Sequence, residues 1–152
     1  MDRPCSTDLS RRVVEAARSW IGTPYHHQMA VKGAGCDCLG LVRGVYAEIY
    51  GRPSDEPVPY SRDWAEATGT ETLIAAAERH LEARSSKAGI CPGDVLIFRM
   101  KRGAMAKHAA ILATPDTMIH AFENNAVCEV PLTLHWRARV AAVFRFPDFP
   151  EG

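Results

Sequence analysis

The sequence has no apolar run approaching the roughly 18 residues that a membrane-spanning helix needs, so we expect no such helix. The stretch from Met1 to Asp8 has no apolar segment behind its charges, and we therefore expect no secretory signal and synthesis in the cytosol. Eighteen basic residues balance eighteen acidic ones, and no basic stretch is long enough to bind phosphates. These absences predict a protein that binds neither nucleic acid nor a membrane.

The chain also lacks internal repeats, low-complexity segments and an even number of cysteines. Its 152 residues, 47% of them hydrophobic, predict one globular domain over residues 1–152 with a single core. Five cysteines cannot all pair with one another, and a cytosolic setting disfavours disulfides. We therefore expect at least one free thiol.

A glycine-rich turn that leads into two cysteines is the stretch most typical of a reactive site. It runs from Gly33 to Cys38, and an apolar segment with helical spacing follows to about Tyr50. A cysteine in the first turn of a helix lies where unpaired backbone N–H groups and the helix dipole favour negative charge. Such a position lowers the pKa of a thiol and favours the reactive thiolate. The pattern predicts a nucleophile, but by itself does not choose between Cys36 and Cys38.

The rest of the chain predicts helices first and strands second. Helical spacing predicts helices over Asp8–Ile21 and Cys38–Tyr50, and an accessory helical insertion around 52–89 whose helix runs from Asp63 to about Ala83. Five short runs rich in β-formers follow Asp94: Val95–Arg99, His108–Ala113, Met118–Phe122, Val127–Val130 and Val140–Phe146. This order predicts an α+β fold in which the N-terminal helices pack on an antiparallel five- or six-stranded sheet.

The turn Thr114-Pro115-Asp116 brings two histidines together. If the turn is centred at Pro115, Ala110 lies opposite His120, and His108 is the diagonal neighbour of His120 on the same face. Diagonal pairs lie roughly 7–8 Å apart, which aromatic side chains can bridge. A cysteine on a buried helix packed against that face would meet one imidazole, and the second imidazole would orient the first. This is the nucleophile, base and orienter arrangement of thiol acyl-transfer enzymes.

Five short blocks occur in order along nearly the whole chain. They are Gly22-Thr23-Pro24-Tyr25, Asp37-Cys38-x-Gly40-Leu41-Val42, Pro92-Gly93-Asp94-Val95, His108-x-x-Ile111-Leu112 and Met118-Ile119-His120-Ala121. Together they resemble the NlpC family of bacterial cell-wall cysteine peptidases. The segments Gly33–Cys38 and Val143–Pro147 resemble, more narrowly, the branch encoded with phage-tail and gene-transfer-agent genes.

The resemblance implies a papain-like cysteine peptidase fold that cuts the peptide stems of peptidoglycan, typically after γ-D-glutamate. It implies Cys38 as the nucleophile, His108 as the general base and His120 as the residue that orients the base. It also implies that Tyr25 and Asp37 lie at the substrate. We expect no cofactor and no metal. The implied partners are peptidoglycan stem peptides and, for the phage branch, other proteins of a tail or transfer particle that carries the enzyme to the cell wall.

One residue departs from the family pattern. Many members carry serine after the nucleophile, where it helps to bind the amino end of the substrate, whereas this chain has Leu39. We expect Leu39 to face the same part of the substrate, which puts the usual stem-peptide specificity in question.

Three alternative interpretations stay open at this point. Cys36 is either a small buried residue or a second thiol that forms a transient disulfide. Cys36, Cys38, His108 and His120 together suit zinc, although a one-residue cysteine spacing is tighter than the usual two to four. The third interpretation is that the domain is a non-hydrolytic tail-tip component that uses the same cleft for docking.

Overall fold

The computed structural model of the protein describes residues 7–51, 72–85, 89–101, 103 and 106–148. Helix α1 spans Asp8–Ser19 and begins at Thr7, whose hydroxyl accepts a hydrogen bond from the backbone N–H of Ser10 while the Ser10 hydroxyl accepts one from Thr7. This reciprocal cap satisfies N–H groups that the first turn leaves unpaired. The helix ends two residues before the predicted Ile21.

Helix α2 spans Cys38–Tyr50, as predicted. Asp37 caps its N-terminus, and Gly51 ends it in the left-handed conformation, with φ of 69°. The helix is apolar nearly all round because most of its circumference packs against other elements, and Glu48 lies on the exposed side. A Cβ added to Gly40 would lie 2.0 Å from the carbonyl oxygen of Met29, and one added to Gly44 would lie 2.1 Å from the Trp20 ring. Only glycine therefore lets these neighbours approach the helix so closely.

Six antiparallel strands form the main sheet, in the order β3-β8-β4-β5-β6-β7. Their bounds are β3 Glu82–Arg84, β4 Val95–Phe98, β5 His108–Thr114, β6 Thr117–His120, β7 Cys128–Pro131 and β8 Val140–Arg145. Two further strands, β1 Ala30–Val31 and β2 Gly35–Cys36, pair with each other in the segment that precedes α2. The five predicted strand regions are confirmed, and β3 is the sixth strand.

The accessory region differs from its prediction at the end that the structure describes. Helix α3 spans Thr72–His80, and the chain then extends into β3, which pairs with β8. The predicted helix end at about Ala83 is therefore wrong, because pairing with a distant strand overrides local helix propensity there. Residues 52–71 and 86–88 of the predicted insertion lie outside the described residues. A short helix that the sequence did not predict, α4 over Leu134–Arg137, precedes β8.

Each face of the sheet is buried by a different set of elements. Helices α1 and α2 cover one face, where Ala109 and Ile111 of β5 join the larger core cluster. On the other face, Ala110 and Leu112 join a smaller cluster that includes Trp136 of α4. Strand β5 is thus buried on both sides, although it belongs to an antiparallel sheet. In the described part of the chain, no helix is long and apolar enough to cross a membrane.

A buried carboxylate explains the Pro92-Gly93-Asp94 block. The Asp94 side chain is 1% exposed and accepts hydrogen bonds from Arg84 Nη1 at 2.7 Å, Arg145 Nε at 3.3 Å and the backbone N–H of Cys91 at 2.8 Å. It ties β3 and β8 to the start of β4. The block therefore positions strands, and Cys91 beside it is disulfide-bonded, which the sequence argument did not predict.

Candidate active site

Cys38 lies at the first position of α2, directly after the capping residue Asp37. Its Sγ is 3.8 Å from the backbone carbonyl oxygen of Lys107, to which the thiol donates. The backbone N–H of Ala109 also bonds to the sulfur. The thiol therefore lies against the two peptide groups that flank His108 at the start of β5.

The thiol is held in its protonated form. The pKa of Cys38 is raised to about 12, chiefly by burial and then by the charge of Asp37, while the backbone N–H groups of Ala109, Leu39 and Cys38 act in the opposite direction. The backbone N–H groups at the helix end thus lower the pKa of Cys38, as predicted, but burial outweighs them and the pKa as a whole is raised. Desolvation of the thiolate outweighs the favourable helix end, because a charged sulfur loses its water in this position.

The two predicted histidines form a hydrogen-bonded pair. His108 Nε2 lies 2.9 Å from His120 Nδ1, and the residues are only 6% and 5% exposed. Strands β5 and β6 pair Ile111 with Ile119, which is the register that the turn predicted. Burial lowers the pKa of His108 to about 3, with a smaller contribution from His120, and burial also lowers the pKa of His120. Both imidazoles are therefore neutral near pH 7.

The way in which the thiol and the imidazoles meet differs from the prediction. Helix α2 packs against the face of the sheet that carries Ala109 and Ile111, whereas His108 lies on the opposite face, because successive residues of a strand alternate. Cys38 therefore approaches His108 at the end of the strand, beside Lys107 and Ala109, and not across the helix-packed face. His108 Nδ1, the nitrogen that His120 does not engage, is the one available to a thiol.

Three aromatic side chains surround the histidine pair. The ring centroid of His108 lies 5.9 Å from that of Phe98, 5.4 Å from Phe122 and 5.5 Å from Trp136. None of these three aromatic residues was among those predicted to form the site. Phe98 could have been placed beside His108 from their cross-strand pairing, but only if the β4–β5 register had been known.

Asp37 uses both carboxylate oxygens within the chain. Oδ1 accepts from the N–H of Gly40 at 2.7 Å and Oδ2 from the N–H of Gln28 at 2.8 Å, and the residue is 3% exposed. His27 Nδ1 lies 3.9 Å from Oδ2. The carboxylate thus fixes α2 to the loop before it, and its predicted contact with substrate stays a prediction.

The other predicted site residues lie around the same helix end. Tyr25 forms a parallel bridge with Cys36, which places it beside the segment that leads to Cys38. Tyr25 and Leu39 are both partly exposed. The structure therefore brings both close to Cys38 along the chain and the sheet, while their contact with a substrate stays a prediction.

Cys36 is fully buried in β2, with no exposed surface. Its thiol is free, as are those of Cys38 and Cys128, and burial raises its pKa to about 12. This placement supports the interpretation of Cys36 as a small buried residue. Within the described ranges, no three His, Cys, Asp or Glu side chains are grouped so that they could hold a metal ion, which gives the zinc interpretation no geometric support.

A model of the NlpC/P60 family matches residues 22–145, a span that includes every residue of the site. The chain belongs to the NlpC/P60 family. Members of this family are cysteine peptidases and hydrolases that act on peptidoglycan. The α+β fold predicted from the sequence is thus confirmed as the papain-like fold of NlpC/P60 domains.

Individual NlpC/P60 proteins resemble the chain over most of its length. Gamma-DL-glutamyl hydrolase of Bacillus subtilis (strain 168) is 26% identical over 146 residues, which are 95% of this chain and 31% of the relative. The chain thus spans about a third of that protein.

Solved NlpC/P60 structures share the fold. NlpC2 from Trichomonas vaginalis has a TM-score of 0.64 and 17% identity, covering 95% of this chain and 49% of its own. The NlpC/p60 domain of peptidoglycan hydrolase SagA has a TM-score of 0.63 and 23% identity, covering 90% of this chain and 98% of its own. The fold therefore corresponds to one whole NlpC/p60 domain.

Proposed function

We propose that the protein is a cysteine endopeptidase that hydrolyses amide bonds in peptidoglycan stem peptides, after γ-D-glutamate. The observation that carries this proposal is the buried bond between His108 Nε2 and His120 Nδ1 at 2.9 Å, next to a helix-terminal thiol held against the backbone on both sides of His108. Cys38, His108 and His120, in the proposed roles of nucleophile, base and orienting group, thus lie one after another at one end of the sheet.

The protonation states define the first chemical step. With a neutral imidazole and a protonated thiol, His108 Nδ1 takes the proton of Cys38 as the sulfur attacks the amide carbonyl carbon. For Nδ1 to accept this proton, Nε2 must carry the other hydrogen and donate it to His120 Nδ1. His120 thus selects the tautomer of the base and stabilises the imidazolium that forms. The backbone N–H of Cys38 and the Tyr25 hydroxyl stabilise the oxyanion.

The remaining steps return the groups to their starting state. The C–N bond breaks, and His108 gives its proton to the leaving amine, which leaves a thioester between Cys38 and the γ-carboxyl carbon. Water then attacks this carbon and gives a proton to His108. The C–S bond breaks and His108 returns its proton to the sulfur. The glutamyl product leaves as a carboxylic acid and loses its proton to solvent.

The substrate assignment is supported by the relatives. One is named a gamma-DL-glutamyl hydrolase and another a peptidoglycan hydrolase. Leu39 presents an apolar side chain directly after the nucleophile, so we expect it to weaken the preference for a charged amino end and to favour an apolar group there.

Digestion of purified peptidoglycan tests the activity. Wild-type protein, Cys38→Ala and the matched control Cys36→Ala are incubated with the same sacculi, and the released fragments are identified by mass spectrometry. We expect wild type and Cys36→Ala to release fragments that end in γ-D-glutamate, and Cys38→Ala to release none. If wild type and Cys38→Ala give identical fragments, the proposal is wrong; if wild type binds sacculi without cutting them, the domain is a docking component.

We also propose that the protein is carried by a phage-like particle and acts in the cell wall with other particle proteins. This rests on the resemblance of Gly33–Cys38 and Val143–Pro147 to the phage and gene-transfer-agent branch. Mass spectrometry of particles purified from the source cells tests it. Peptides of this chain that co-purify with tail proteins support the assignment, and their absence from particles while present in the cell extract contradicts it.

A further inference from the structure

The histidine pair lies on the face of the sheet that α1 and α2 do not cover. Its cover on that face comes from α4, whose Trp136 packs into the smaller core cluster. The Trp136 ring centroid lies 5.5 Å from that of His108 with the planes 33° apart, and 5.6 Å from that of His120 with the planes 90° apart. One indole therefore spans both members of the hydrogen-bonded pair.

Several hydrogen bonds stabilise the segment that carries Trp136, and the bond from Arg137 to Pro115 ties it to the turn between β5 and β6. Thr133 caps α4 through the N–H of Trp136 at 3.4 Å. Arg137 donates to the carbonyl oxygens of Leu132 at 3.1 Å and Pro115 at 2.9 Å. Arg139 donates to the carbonyl oxygen of His135 at 2.8 Å. A helix of four residues has little stability of its own, so these bonds hold the indole in place over the histidines.

The aromatic neighbours of Trp136 complete the enclosure. Its ring centroid lies 5.1 Å from that of Phe98 and 6.1 Å from that of Phe122, and both phenylalanines also lie against His108. A hydrogen bond inside such apolar walls is stronger than one that competes with water. The same walls restrict the rotation of both imidazoles. The proposed reaction needs this restriction, because Nδ1 of His108 must face the thiol.

We propose that Trp136 is a positioning residue that excludes water from the His108–His120 hydrogen bond and holds His108 in the orientation needed to take the proton of Cys38. This inference rests on the proposed function, since it assigns Trp136 a part in the same reaction. It does not require Trp136 to touch the substrate.

Other titratable and charged groups lie near the pair or near Trp136 along the chain and across the strands. They are Cys38 from α2, Lys107 before β5, Glu123 after Phe122, Cys128 opposite His120 on β7, and His135, Arg137 and Arg139 in and after α4. Apart from burial, only His120 has a resolved influence on the pKa of His108. Removing the indole therefore acts on the pair through water access.

The test compares Trp136→Ala, Trp136→Phe and the control Leu134→Ala. Leu134 lies in the same short helix and is 84% exposed, so its truncation leaves the enclosure intact. We expect Trp136→Ala to lower kcat roughly tenfold to a hundredfold with little change in KM, because a small displacement of a catalytic group has effects of that size. Trp136→Phe should retain most of the activity, and Leu134→Ala all of it.

Nuclear magnetic resonance titration of the imidazole protons gives a readout independent of activity. In wild type and Leu134→Ala, His108 should not titrate between pH 5 and 8. In Trp136→Ala its pKa should rise toward the ordinary value; if that variant does not fold, Trp136→Phe should show a smaller rise. Unchanged titration in the folded variants, or a change in KM alone, overturns the inference. Because the titration needs no substrate, it stands even if wild type fails to cut peptidoglycan.

Discussion

His108 Nε2 and His120 Nδ1 are 2.9 Å apart on the face of the sheet opposite to α2. The bond crosses from β5 to β6, so the same backbone pairing that builds the sheet sets the separation of the two rings. The positions of His108 and His120 relative to each other therefore depend on the pairing of β5 with β6.

Replacement of His120 should show whether it orients His108 or only fills space. We expect His120→Ala to lower kcat about a hundredfold or more, because loss of the orienting group leaves His108 in the wrong tautomer for part of the time. His120→Asn, which keeps a hydrogen-bonding group, should retain much more activity, as asparagine orients the base in other thiol proteases. Steady-state kinetics on peptidoglycan fragments checks this, with exposed His26 replaced by alanine as the control. Equal losses in His120→Ala and His120→Asn would show that His120 serves packing alone.

Stability should fall as the pH falls from about 6.5 toward 3. The unfolded chain binds protons at its histidines with an ordinary pKa near 6.5, whereas burial lowers the pKa of native His108 to about 3. Between these values the unfolded state binds more protons, so the free energy of unfolding rises with pH. Urea denaturation at pH 7 and pH 5 measures this slope. In the double variant His108→Gln, His120→Gln the loss between these pH values should be clearly smaller; an equal loss would assign it to the carboxylates.

The thiol of Cys38 should react slowly with alkylating reagents at neutral pH. Its pKa is raised to about 12, and the thiolate is the form that reacts. Labelling with iodoacetamide, followed by peptide mass spectrometry, gives the rate at Cys38 as a function of pH. We expect the rate to keep rising beyond pH 9 in the folded protein, and to level off near the ordinary thiol pKa after unfolding in urea. A plateau below pH 7 would mean that the resting site is a thiolate–imidazolium pair instead.

Local signals predicted the elements that local interactions determine. The apolar spacing after Cys38 predicted both ends of α2, and the turn at Pro115 predicted the β5–β6 register and with it the histidine pair. Long-range effects escaped prediction. Strand β3 exists because β8 lies beside it, and β5 is apolar on both faces, so its sequence does not tell which face α2 covers.

The protonation state of Cys38 escaped prediction for a related reason. The sequence shows the helix end that favours a thiolate, but the burial that opposes it comes from the packing of α2 against the start of β5. The enclosure of the histidines was missed because Trp136 is separated from them in sequence and sits in a helix of four residues.

Asp94 offers a test of what the Pro92-Gly93-Asp94 block does. Its buried carboxylate pairs with Arg84 and Arg145, which are themselves largely buried, with side chains 11% and 13% exposed. Removing one partner of a buried ion pair leaves an uncompensated charge, so Asp94→Ala should lower the free energy of unfolding by about 3–5 kcal/mol.

Asp116→Ala is the matched control for Asp94→Ala. Asp116 also pairs with an arginine, Arg137 at 3.5 Å, but its side chain is 91% exposed. An exposed ion pair contributes less than about 1 kcal/mol, so this variant should unfold at nearly the wild-type urea concentration. Both variants should keep the imidazole titration of wild type. Asp94 lies where β3 and β8 meet the start of β4, and this place is not beside the histidines. Similar losses of stability in the two variants would contradict the assignment of Asp94 as the residue that fastens β3 and β8 to β4.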